Sequence, residues 1–520
     1  MLRFQERFSM RAAVIDVGSS TIKLLIAESH GDDVKIIESL KNSIPLGKHV
    51  FLKGRLPQTI INQTAAVLQK YKETLKEYDV ENVMVIATTA VREARNRDIF
   101  LDTVLRKTGF KIDVLNAGDV VYYIDYFLSH KLKKTYPVDK KNLLIAELGA
   151  GSLDVSVMEK GLTLMNIGFP IGTLRLSQFM ESLDGSLQEV HEATEEYIEN
   201  EIFFLKKNNA NLSIDDIILI DENYSVFIQN VLPNKRRDSD FFKFKASEAQ
   251  ELLACLKQMN VEEIANTYNV PTDIASTITG FAIIVNTLFK LNKNEYVYIL
   301  EASLSEAILA HLLFKFDMAE GDNKLSQLVS VAHFLCRKYG MDLNHLKHVA
   351  TLTDQLFSAF RDNLGLEEKD RLYALLASYL HDLGMFVNNR AHHKHSEYII
   401  SSLNLFRLTE HEINIIACIA RYHRRSAPLK THLLYNSLSS PEQILVQKLS
   451  ALLRIANALD RSHKQKIKKI DVKFNAAGDA TIIAYTHENF LLEKENFLEK
   501  KELFEEITGN KLTLIVRTQE

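Results

Sequence analysis

The chain has 520 residues, of which 46% are hydrophobic and 25% are charged, and its formal net charge is −4. These values are typical of a soluble globular protein with several domains, and they exclude a disordered or fibrous chain. The charge balance gives no sign of a nucleic-acid partner or an anionic membrane, so any anion site must be local. Three well-separated cysteines without a CxxC pair exclude a disulfide framework. With no apolar run approaching the ~20 residues of a membrane span, we expect a cytoplasmic protein.

The first predicted element is a β-hairpin whose turn consists of small residues. Apolar strand patterns at Ala12–Asp16 and Ile22–Ala27 flank the turn Gly18–Thr21. Glycine and serine let backbone N–H groups approach an oxyanion, and an adjacent acid can hold a cation that bridges phosphate oxygens. The turn is therefore a candidate phosphate loop.

A second copy of this hairpin follows in the chain. Its strands are Leu143–Glu147 and Leu153–Met158, and its turn is Gly149–Ser152. The acid, the glycine and the hydroxyl recur at equal spacing, since Glu147 corresponds to Asp16 in the first copy. This duplication predicts two α/β lobes that face each other across a cleft and place both turns on one bound anion.

The back of the chain changes in character from about Asp317. Helical periodicity, as in Leu325–Cys336 and Leu372–Leu380, predicts an all-helical domain to about residue 467. A strand pair, a helix closed by Gly509 and a last strand predict a small α/β tail. We interpret the charged run Glu493–Glu506 as a solvated helix face. The expected domains are 1–125, 126–316, 317–467 and 468–520.

Four segments together resemble one known family. They are AAVIDVGSSTIKLLIAE, VIATTAVREARN (85–96), LLIAELGAGSLDVSV and GFPIGTLRLSQFM (168–180). In this order and spacing they are similar to the exopolyphosphatase/guanosine pentaphosphate phosphatase (Ppx/GppA) family of the sugar kinase/Hsp70/actin superfamily, over essentially the whole chain. The resemblance implies two duplicated actin-like (ribonuclease H-like) α/β lobes before the all-helical domain. It also implies a homodimer that hydrolyses polyphosphate, pppGpp, ppGpp or a related nucleotide with divalent metal ions.

The resemblance also implies roles for residues of the front cleft. Asp16 and Glu147 would face a metal ion, and Arg92 would lie near the cleft. The two phosphate loops would be formed by Gly18, Ser19, Ser20, Thr21, Gly149, Ala150, Gly151 and Ser152.

The chain departs from the family pattern where the family has a glutamate that orients the attacking water. That position is Val120 here, and Asp119 beside it points elsewhere on a helix or strand. The segment Ile220–Ser225 replaces a later phosphate loop and adds two negative charges, which repel phosphate unless a cation intervenes. We therefore expect a front cleft that is weakened as a catalyst.

Histidines and aspartates of the back half form a second candidate site. Their order, one His, a His-Asp pair, two His and one Asp, resembles the HD-domain metal phosphohydrolases. By this resemblance, the first ion is expected on His348, His381, Asp382 and Asp460, and the second on Asp382, His395 and His423. Such ligands suit Mn, Fe, Mg or Zn, which acidify a bound water and clamp phosphoryl oxygens. We thus expect the catalytic centre at His381 and Asp382.

Cationic residues nearby are candidates to hold the remaining phosphate charge. They are Arg390, Lys394, Arg421, Arg424 and Arg425. We interpret His392, His393 and His411 as exposed or supporting histidines.

Three hypotheses follow from the sequence. The first is a phosphohydrolase of the Ppx/GppA type with metal chemistry at the HD site and a front cleft that binds a phosphate-rich ligand. The second keeps hydrolysis in the front cleft, with Asp119 or another acid in place of the missing glutamate. The third is a non-catalytic nucleotide or polyphosphate sensor.

Overall fold

The computed structural model describes residues 10–31, 33–132, 135–203, 205, 213–221, 227, 241–291, 295–314, 320–424 and 427–517. The chain divides into two compact units, Met1–Ala319 (unit 1) and Glu320–Glu520 (unit 2). Each unit is described separately below.

Unit 1 contains two mixed sheets whose strands follow the same plan. Its strands are β1 (Arg11–Val17), β2 (Thr21–His30), β3 (Asp33–Ser43), β4 (Asn82–Ala87), β5 (Asp113–Val114), β6 (Asn142–Leu148), β7 (Leu153–Glu159), β8 (Leu162–Phe169), β9 (Asp216–Ile220), β10 (Phe241–Lys245) and β11 (Tyr296–Leu300). The strand orders are β3-β2-β1-β4-β5 and β10-β11-β9-β6-β7-β8. In both sheets an antiparallel hairpin, β1–β2 or β6–β7, pairs in parallel with the next strand, β4 or β9. Both predicted hairpins are therefore present.

Helices cover these sheets. They are α1 (Leu46–Lys53), α2 (Gln58–Glu77), α3 (Thr89–Glu93), α4 (Arg97–Thr108), α5 (Ala117–Lys131), α6 (Thr173–Ser182), α7 (Leu187–Glu201), α8 (Ala246–Leu256), α9 (Val261–Tyr268), α10 (Thr272–Phe289) and α11 (Leu304–Leu313). Successive residues of β1 alternate between two apolar clusters: Ala12 and Val14 belong to one, and Ala13 and Ile15 to the other. Because side chains alternate across a strand, the first sheet is buried on both faces.

Helix α10 is the one helix among the described residues that is long and apolar enough to cross a membrane. The sequence analysis found no such segment. However, 67% of this 18-residue helix is buried inside the structure, as in the core helix of a globular domain.

A buried carboxyl group ties α5 to the second sheet. Asp125 accepts hydrogen bonds from Ser156 Oγ on β7 at 3.0 Å and from Thr163 Oγ1 on β8 at 2.8 Å. Burial raises the pKa of Asp125 to about 7, against the opposing effect of these two hydroxyl donors. This contact fixes the helix whose first turn approaches the front cleft.

Unit 2 combines helices with a three-stranded sheet of order β12-β13-β14. Its helices are α12 (Glu320–Lys338), α13 (Leu343–Leu364), α14 (Glu368–Leu380), α15 (His392–Ser401), α16 (Glu410–Arg421), α17 (Leu433–Asn436), α18 (Ser440–Ala458), α19 (Leu491–Lys500) and α20 (Glu502–Thr508), and its strands are β12 (Lys469–Phe474), β13 (Ala480–Tyr485) and β14 (Leu512–Arg517). The predicted strand pair, last strand and Gly509 cap are all present, Gly509 having a φ of 72°. Helices α19 and α20 pack on α18, so the tail and the helices share one compact unit.

The interpretation of Glu493–Glu506 as a solvated face is wrong for part of this run. Glu493 is fully buried, and its carboxylate pairs with Lys466 Nζ at 3.0 Å and accepts the Ser462 backbone N–H. A buried charge must be paired, and this pair anchors α19.

We predict that Asp125→Asn changes how the stability of the protein depends on pH. The folded-state pKa of about 7 lies above the ordinary value of 3.8, so the stability contributed by the protonated form is complete below about pH 4 and is lost as pH rises through about 7. In the wild-type protein, the free energy of unfolding measured with denaturant should be lower at about pH 8 than at about pH 5. In Asp125→Asn this difference should be smaller by about 1–3 kcal/mol. The exposed Asp98→Asn is the control, and equal pH dependence in all three proteins would contradict the prediction.

Candidate functional site

The two predicted phosphate loops line one cavity of about 340 Å³ in unit 1. In the first loop the Gly18 N–H donates to Thr21 O at 3.0 Å, and in the second the Gly149 N–H donates to Ser152 O at 2.9 Å. The two hairpin turns thus close with the same hydrogen bond. All eight predicted loop residues contribute to the lining: Gly18, Ser19, Ser20, Thr21, Gly149, Ala150, Gly151 and Ser152.

Arg92 lies close to this cavity but is occupied by neighbouring groups. Its Nη1 donates to Leu115 O at 2.6 Å and its Nη2 to Thr89 Oγ1 at 3.2 Å. Thr89 Oγ1 in turn lies 2.9 Å from Ser152 Oγ, which donates to Asp154 at 3.0 Å. Arg92 therefore supports the second loop through Thr89.

Carboxyl groups cluster in one part of the front cavity, which Lys23, Lys41 and Lys48 also line. Burial raises the pKa of Glu147 well above its ordinary value, and the charges of Asp154, Asp16 and Asp221 raise it further. Burial also raises the pKa of Asp154 to about 6, although Arg92 opposes this shift. An anion could enter this part of the cavity only with a cation or with protons on these acids.

The position expected to hold the catalytic glutamate is apolar. Val120 lines the cavity and is 2% exposed. The carboxylate of Asp119 instead accepts the Asn116 backbone N–H at 3.0 Å, and the Asp119 N–H donates to the Asn116 side chain at 2.9 Å. Asp119 therefore caps α5. Of the segment Ile220–Ser225, residues 222–225 lie outside the described residues.

Unit 2 brings metal-donor atoms together in two overlapping groups. One group comprises His345, His381 and Asp382, and the other Asp382, His392 and His423. Within each group the ligand atoms lie within 4.8 Å of one another, and all five residues are buried. Asp382 is common to both, as expected for the aspartate of a His-Asp pair that bridges two ions.

The structure orients each of these four imidazoles through its Nδ1 atom. His381 Nδ1 lies 2.8 Å from Ser378 O, His392 Nδ1 3.0 Å from Asn389 O, and His423 Nδ1 2.6 Å from Ala420 O. His345 Nδ1 lies 2.8 Å from Asp460 Oδ2. The acceptors beside His345, His381 and His423 favour a proton on Nδ1, which leaves the Nε2 lone pair for another partner. His392 Nδ1 also lies 3.1 Å from the donor Arg424 Nη1, so two competing neighbours set its tautomer.

These lone pairs point at Asp382. Its carboxylate oxygens lie 3.3 Å from His392 Nε2, 3.5 Å from His381 Nε2 and 3.7 Å from His423 Nε2. The Nε2 atoms of His345 and His381 are buried and have no hydrogen-bond partner among the described residues. Burial lowers the pKa of His381 and of His423, which favours neutral rings that can ligate a cation. The donor set fits divalent cations.

Close packing at Gly384 positions the second group. A Cβ atom on Gly384 would lie 2.1 Å from His392 O and 2.4 Å from Ser396 N. Ser396 Oγ accepts the Gly384 N–H and donates to His381 O. The absence of a side chain at Gly384 therefore lets α15 approach the His-Asp pair.

Two of the predicted ligands do not belong to either group. His348 lies one turn beyond His345 on α13, and His395 lies one turn beyond His392 on α15. Neither is among the grouped donors of the described residues. We therefore assign His345 and His392 in their place, which also corrects the interpretation of His392 as a supporting histidine.

Asp460 is buried but is likewise outside both groups. Its oxygens accept from His345 Nδ1 at 2.8 Å and from the Gln465 backbone N–H at 2.7 Å. Asp460 thus orients His345 rather than contributing to the grouped donors. His411 is exposed and faces Glu442, in agreement with its supporting role.

The predicted phosphate-binding cations lie in different places in the structure. Arg424 lines a cavity of about 330 Å³ next to the donor groups, and its Nη1 lies 3.1 Å from His392 Nδ1. Arg421 instead pairs with Glu397, and Lys394 is exposed and not part of this lining. Arg390 lines a neighbouring cavity that also includes His393. Arg425 lies outside the described residues.

Several cavity residues gave no recognisable signal in the sequence. Arg454, Arg461 and Lys500 line the cavity, but they read as ordinary charged positions of helices. His345 and His392 did give a signal, since each stands three residues before a histidine that was selected, at the spacing of one helical turn.

Comparison with known proteins identifies similar chains along most of the length. The profile of the Ppx/GppA phosphatase family matches residues 25–316, and that of Ppx/GppA phosphatase domain III matches residues 329–507. The guanosine-5'-triphosphate,3'-diphosphate pyrophosphatase of Pseudoalteromonas translucida is 22% identical over 467 residues, which cover 85% of this chain and 86% of that protein.

Solved structures show the same fold. A Ppx/GppA family member of Aquifex aeolicus superposes with a TM-score of 0.52 at 23% identity, over 60% of this chain and 100% of its own. An exopolyphosphatase of Cytophaga hutchinsonii superposes with a TM-score of 0.53 at 19% identity, over 59% of this chain and 99% of its own.

We predict that His345→Ala lowers the metal content of the purified, Mn²⁺-loaded protein by about one ion per chain, because it removes a donor whose lone pair faces the cluster. His348→Ala, one turn away, is the matched control and should leave the content unchanged. The same contrast should hold between His392→Ala and His395→Ala. Plasma mass spectrometry measures the ions, and metal loss in His348→Ala with retention in His345→Ala would restore the ligand set predicted from the sequence.

Proposed function

The chain belongs to the Ppx/GppA phosphatase family and is therefore a phosphohydrolase, and we propose that its hydrolytic centre is the His/Asp cluster of unit 2. The proposed substrates are inorganic polyphosphate, pppGpp, ppGpp or a related phosphate-rich nucleotide. By the same membership we propose a homodimer in the cytoplasm.

A single observation supports this location: two buried imidazole nitrogens face the cluster without a hydrogen-bond partner. The Nε2 atoms of His345 and His381 have no partner among the described residues, and both belong to the donor group of Asp382. Each of these rings has an acceptor beside Nδ1, so its Nε2 offers a lone pair that is costly to leave unpaired in a buried site. A bound cation would turn these lone pairs into ligands.

The proposed chemistry divides between the metal ions and the chain. A divalent cation held by Asp382 and the histidines would supply Lewis-acid chemistry, acidifying a water molecule and neutralising a phosphoryl oxygen. The Nδ1 contacts hold the imidazoles in the tautomer that can ligate, and Asp460 does this for His345. In the reaction, one P–O bond to the water oxygen would form as the phosphoanhydride P–O bond breaks. The water would lose its proton to the solvent, and the leaving phosphate oxygen would keep the electron pair of the broken bond and its negative charge.

For the front cavity we propose binding of a phosphate-rich ligand without hydrolysis. Its two loops are intact, but Val120 is apolar where the family has an acid, and Asp119 caps a helix. A water molecule in this cavity would lack the acceptor that the family uses to orient it. The alternative, catalysis in the front cavity, needs another acid such as Glu147 in that role.

We predict that Asp382→Asn lowers Mn²⁺-dependent phosphate release from tripolyphosphate by at least about 100-fold, because one substitution removes the donor common to both groups. Asp16→Asn, the matched change in the front cavity, should reduce the rate by less than about threefold. Release would be followed with a colorimetric phosphate assay, using folded proteins checked by circular dichroism.

The opposite result, loss in Asp16→Asn with retention in Asp382→Asn, would move catalysis to the front cavity. No release by the wild-type protein from tripolyphosphate, polyphosphate or pppGpp would favour the sensor hypothesis.

A further inference from the structure

The cavity beside the metal-donor cluster has a second wall that the proposed chemistry does not use. Asp382, His392 and His423 form the wall on the side of the donors. The other wall comes from α18, the turn after it and α19: Arg454, Asn457, Ala458, Arg461, Asn496 and Lys500. A group bound to the donors would therefore face this second wall.

The spacing of these residues explains why they share one wall. Arg454, Asn457 and Ala458 follow one another at i, i+3 and i+4, which places them on one face of α18, and Arg461 lies in the turn that follows the last residue of this helix, Ala458. Asn496 and Lys500 stand four residues apart on α19, which packs against α18.

Arg454 is an unusual cation because it is buried and incompletely paired. It is 7% exposed, and its Nε has no hydrogen-bond partner among the described residues. Burial lowers the pKa of its guanidinium, and only the more distant charges of Glu499 and Glu502 oppose this. A buried charge without a close partner is costly, so its retention beside an open cavity indicates a ligand that supplies the missing acceptor.

The charges around the cavity favour an anion larger than one phosphate. Four cationic side chains and two carboxylates contribute to the lining, and one of these carboxylates, Glu499, pairs with Lys500 at 2.7 Å. Cations bound at Asp382 would add to the positive excess. A guanidinium presents a planar fork that matches two phosphate oxygens, which suits Arg454 and Arg461 to a second phosphoryl group.

We propose that Arg454, Arg461 and Lys500 form a subsite for the phosphoryl group next to the one at the metal-donor cluster, so that the site selects condensed phosphates over monophosphates. This subsite rests on the proposed function, since the donor cluster defines the neighbouring position. The recognised chemistry is a phosphoanhydride, from an inorganic chain or from a nucleotide. No Phe or Tyr is among the described residues that line the cavity, so phosphate oxygens rather than a stacked base are the recognised groups.

Steady-state kinetics with two substrates test the subsite. For Arg461→Gln we expect the KM for tripolyphosphate to rise about tenfold or more, with kcat nearly unchanged, because a charge-assisted contact to a non-reacting group is lost. The KM for p-nitrophenyl phosphate, which has one phosphoryl group, should change less than about twofold. Arg454→Gln should raise the KM for tripolyphosphate in the same way. If this buried variant fails to fold, the exposed Arg461→Gln variant still tests the subsite. Arg361→Gln, exposed on α13 and away from the cavity, is the matched control.

A binding measurement separates this proposal from the proposed function. Calorimetric titration of Mn²⁺-loaded protein with tripolyphosphate needs no turnover, and the front cavity is unchanged in these variants, so its contribution is the same in each. Loss of affinity in Arg461→Gln would support the subsite even if Asp382→Asn remained active. Activity of Asp382→Asn would overturn only the proposed catalytic centre. Unchanged affinity and KM in Arg461→Gln and Arg454→Gln would overturn the subsite.

Guanosine 5'-triphosphate in the same titration distinguishes the two phosphate sources. If Arg461→Gln loses affinity equally for both ligands, or for tripolyphosphate alone, the result supports recognition of the phosphate chain. A loss of affinity confined to the nucleotide would overturn this recognition.

Discussion

The convergence of buried imidazole nitrogens on the Asp382 carboxylate is the constraint on which the candidate centre of unit 2 depends. The Nε2 atoms of His381, His392 and His423 lie 3.3 to 3.7 Å from its oxygens, and those of His345 and His381 have no hydrogen-bond partner among the described residues. The donors come from α13, the end of α14, the start of α15 and the end of α16, so the chain must fold before they meet. Binding of the proposed metal ions would therefore be linked to the folding of this unit, because the donors have no common position in the unfolded chain.

The front cavity combines a buried carboxyl cluster with three lysines. Burial and the charges of Asp154, Asp16 and Asp221 raise the pKa of Glu147, whereas Lys23, Lys41 and Lys48 also line the cavity. In the second unit, arginine and lysine side chains line the cavity beside the donors. The proposed absence of hydrolysis in the front cavity rests on Val120, since an attacking water needs an acceptor that this side chain does not supply.

The sequence predicted the fold further than it predicted the site. Alternating apolar strands around Gly18 and Gly149 identified both hairpins, because the period of a strand and the turn chemistry are local properties. The sequence led to His348 and His395, one turn from the His345 and His392 of the donor groups, because residues three apart share a helical face and only packing decides which ring reaches the cluster. Arg454 and Lys500 could not be recognised as cavity residues from the sequence, since a buried cation and a solvated cation have the same pattern in a helical sequence. For the same reason the burial of Glu493, in the charged run Glu493–Glu506, was not predicted.

The C-terminal segment contributes to the proposed subsite, although its charged composition suggested a solvated helix. Glu493 is buried against Lys466 and the Ser462 N–H, which fixes α19 against the end of α18. That contact sets the position of Lys500, the last residue of α19, relative to Arg454 on α18 and Arg461 in the turn after α18. A solvated tail could not hold three cations around one phosphoryl group, because each long side chain would lose its conformational entropy on binding. The buried Glu493 pair reduces this cost by ordering the helix in advance, so the small sheet and its helices belong to the site as much as the histidines do.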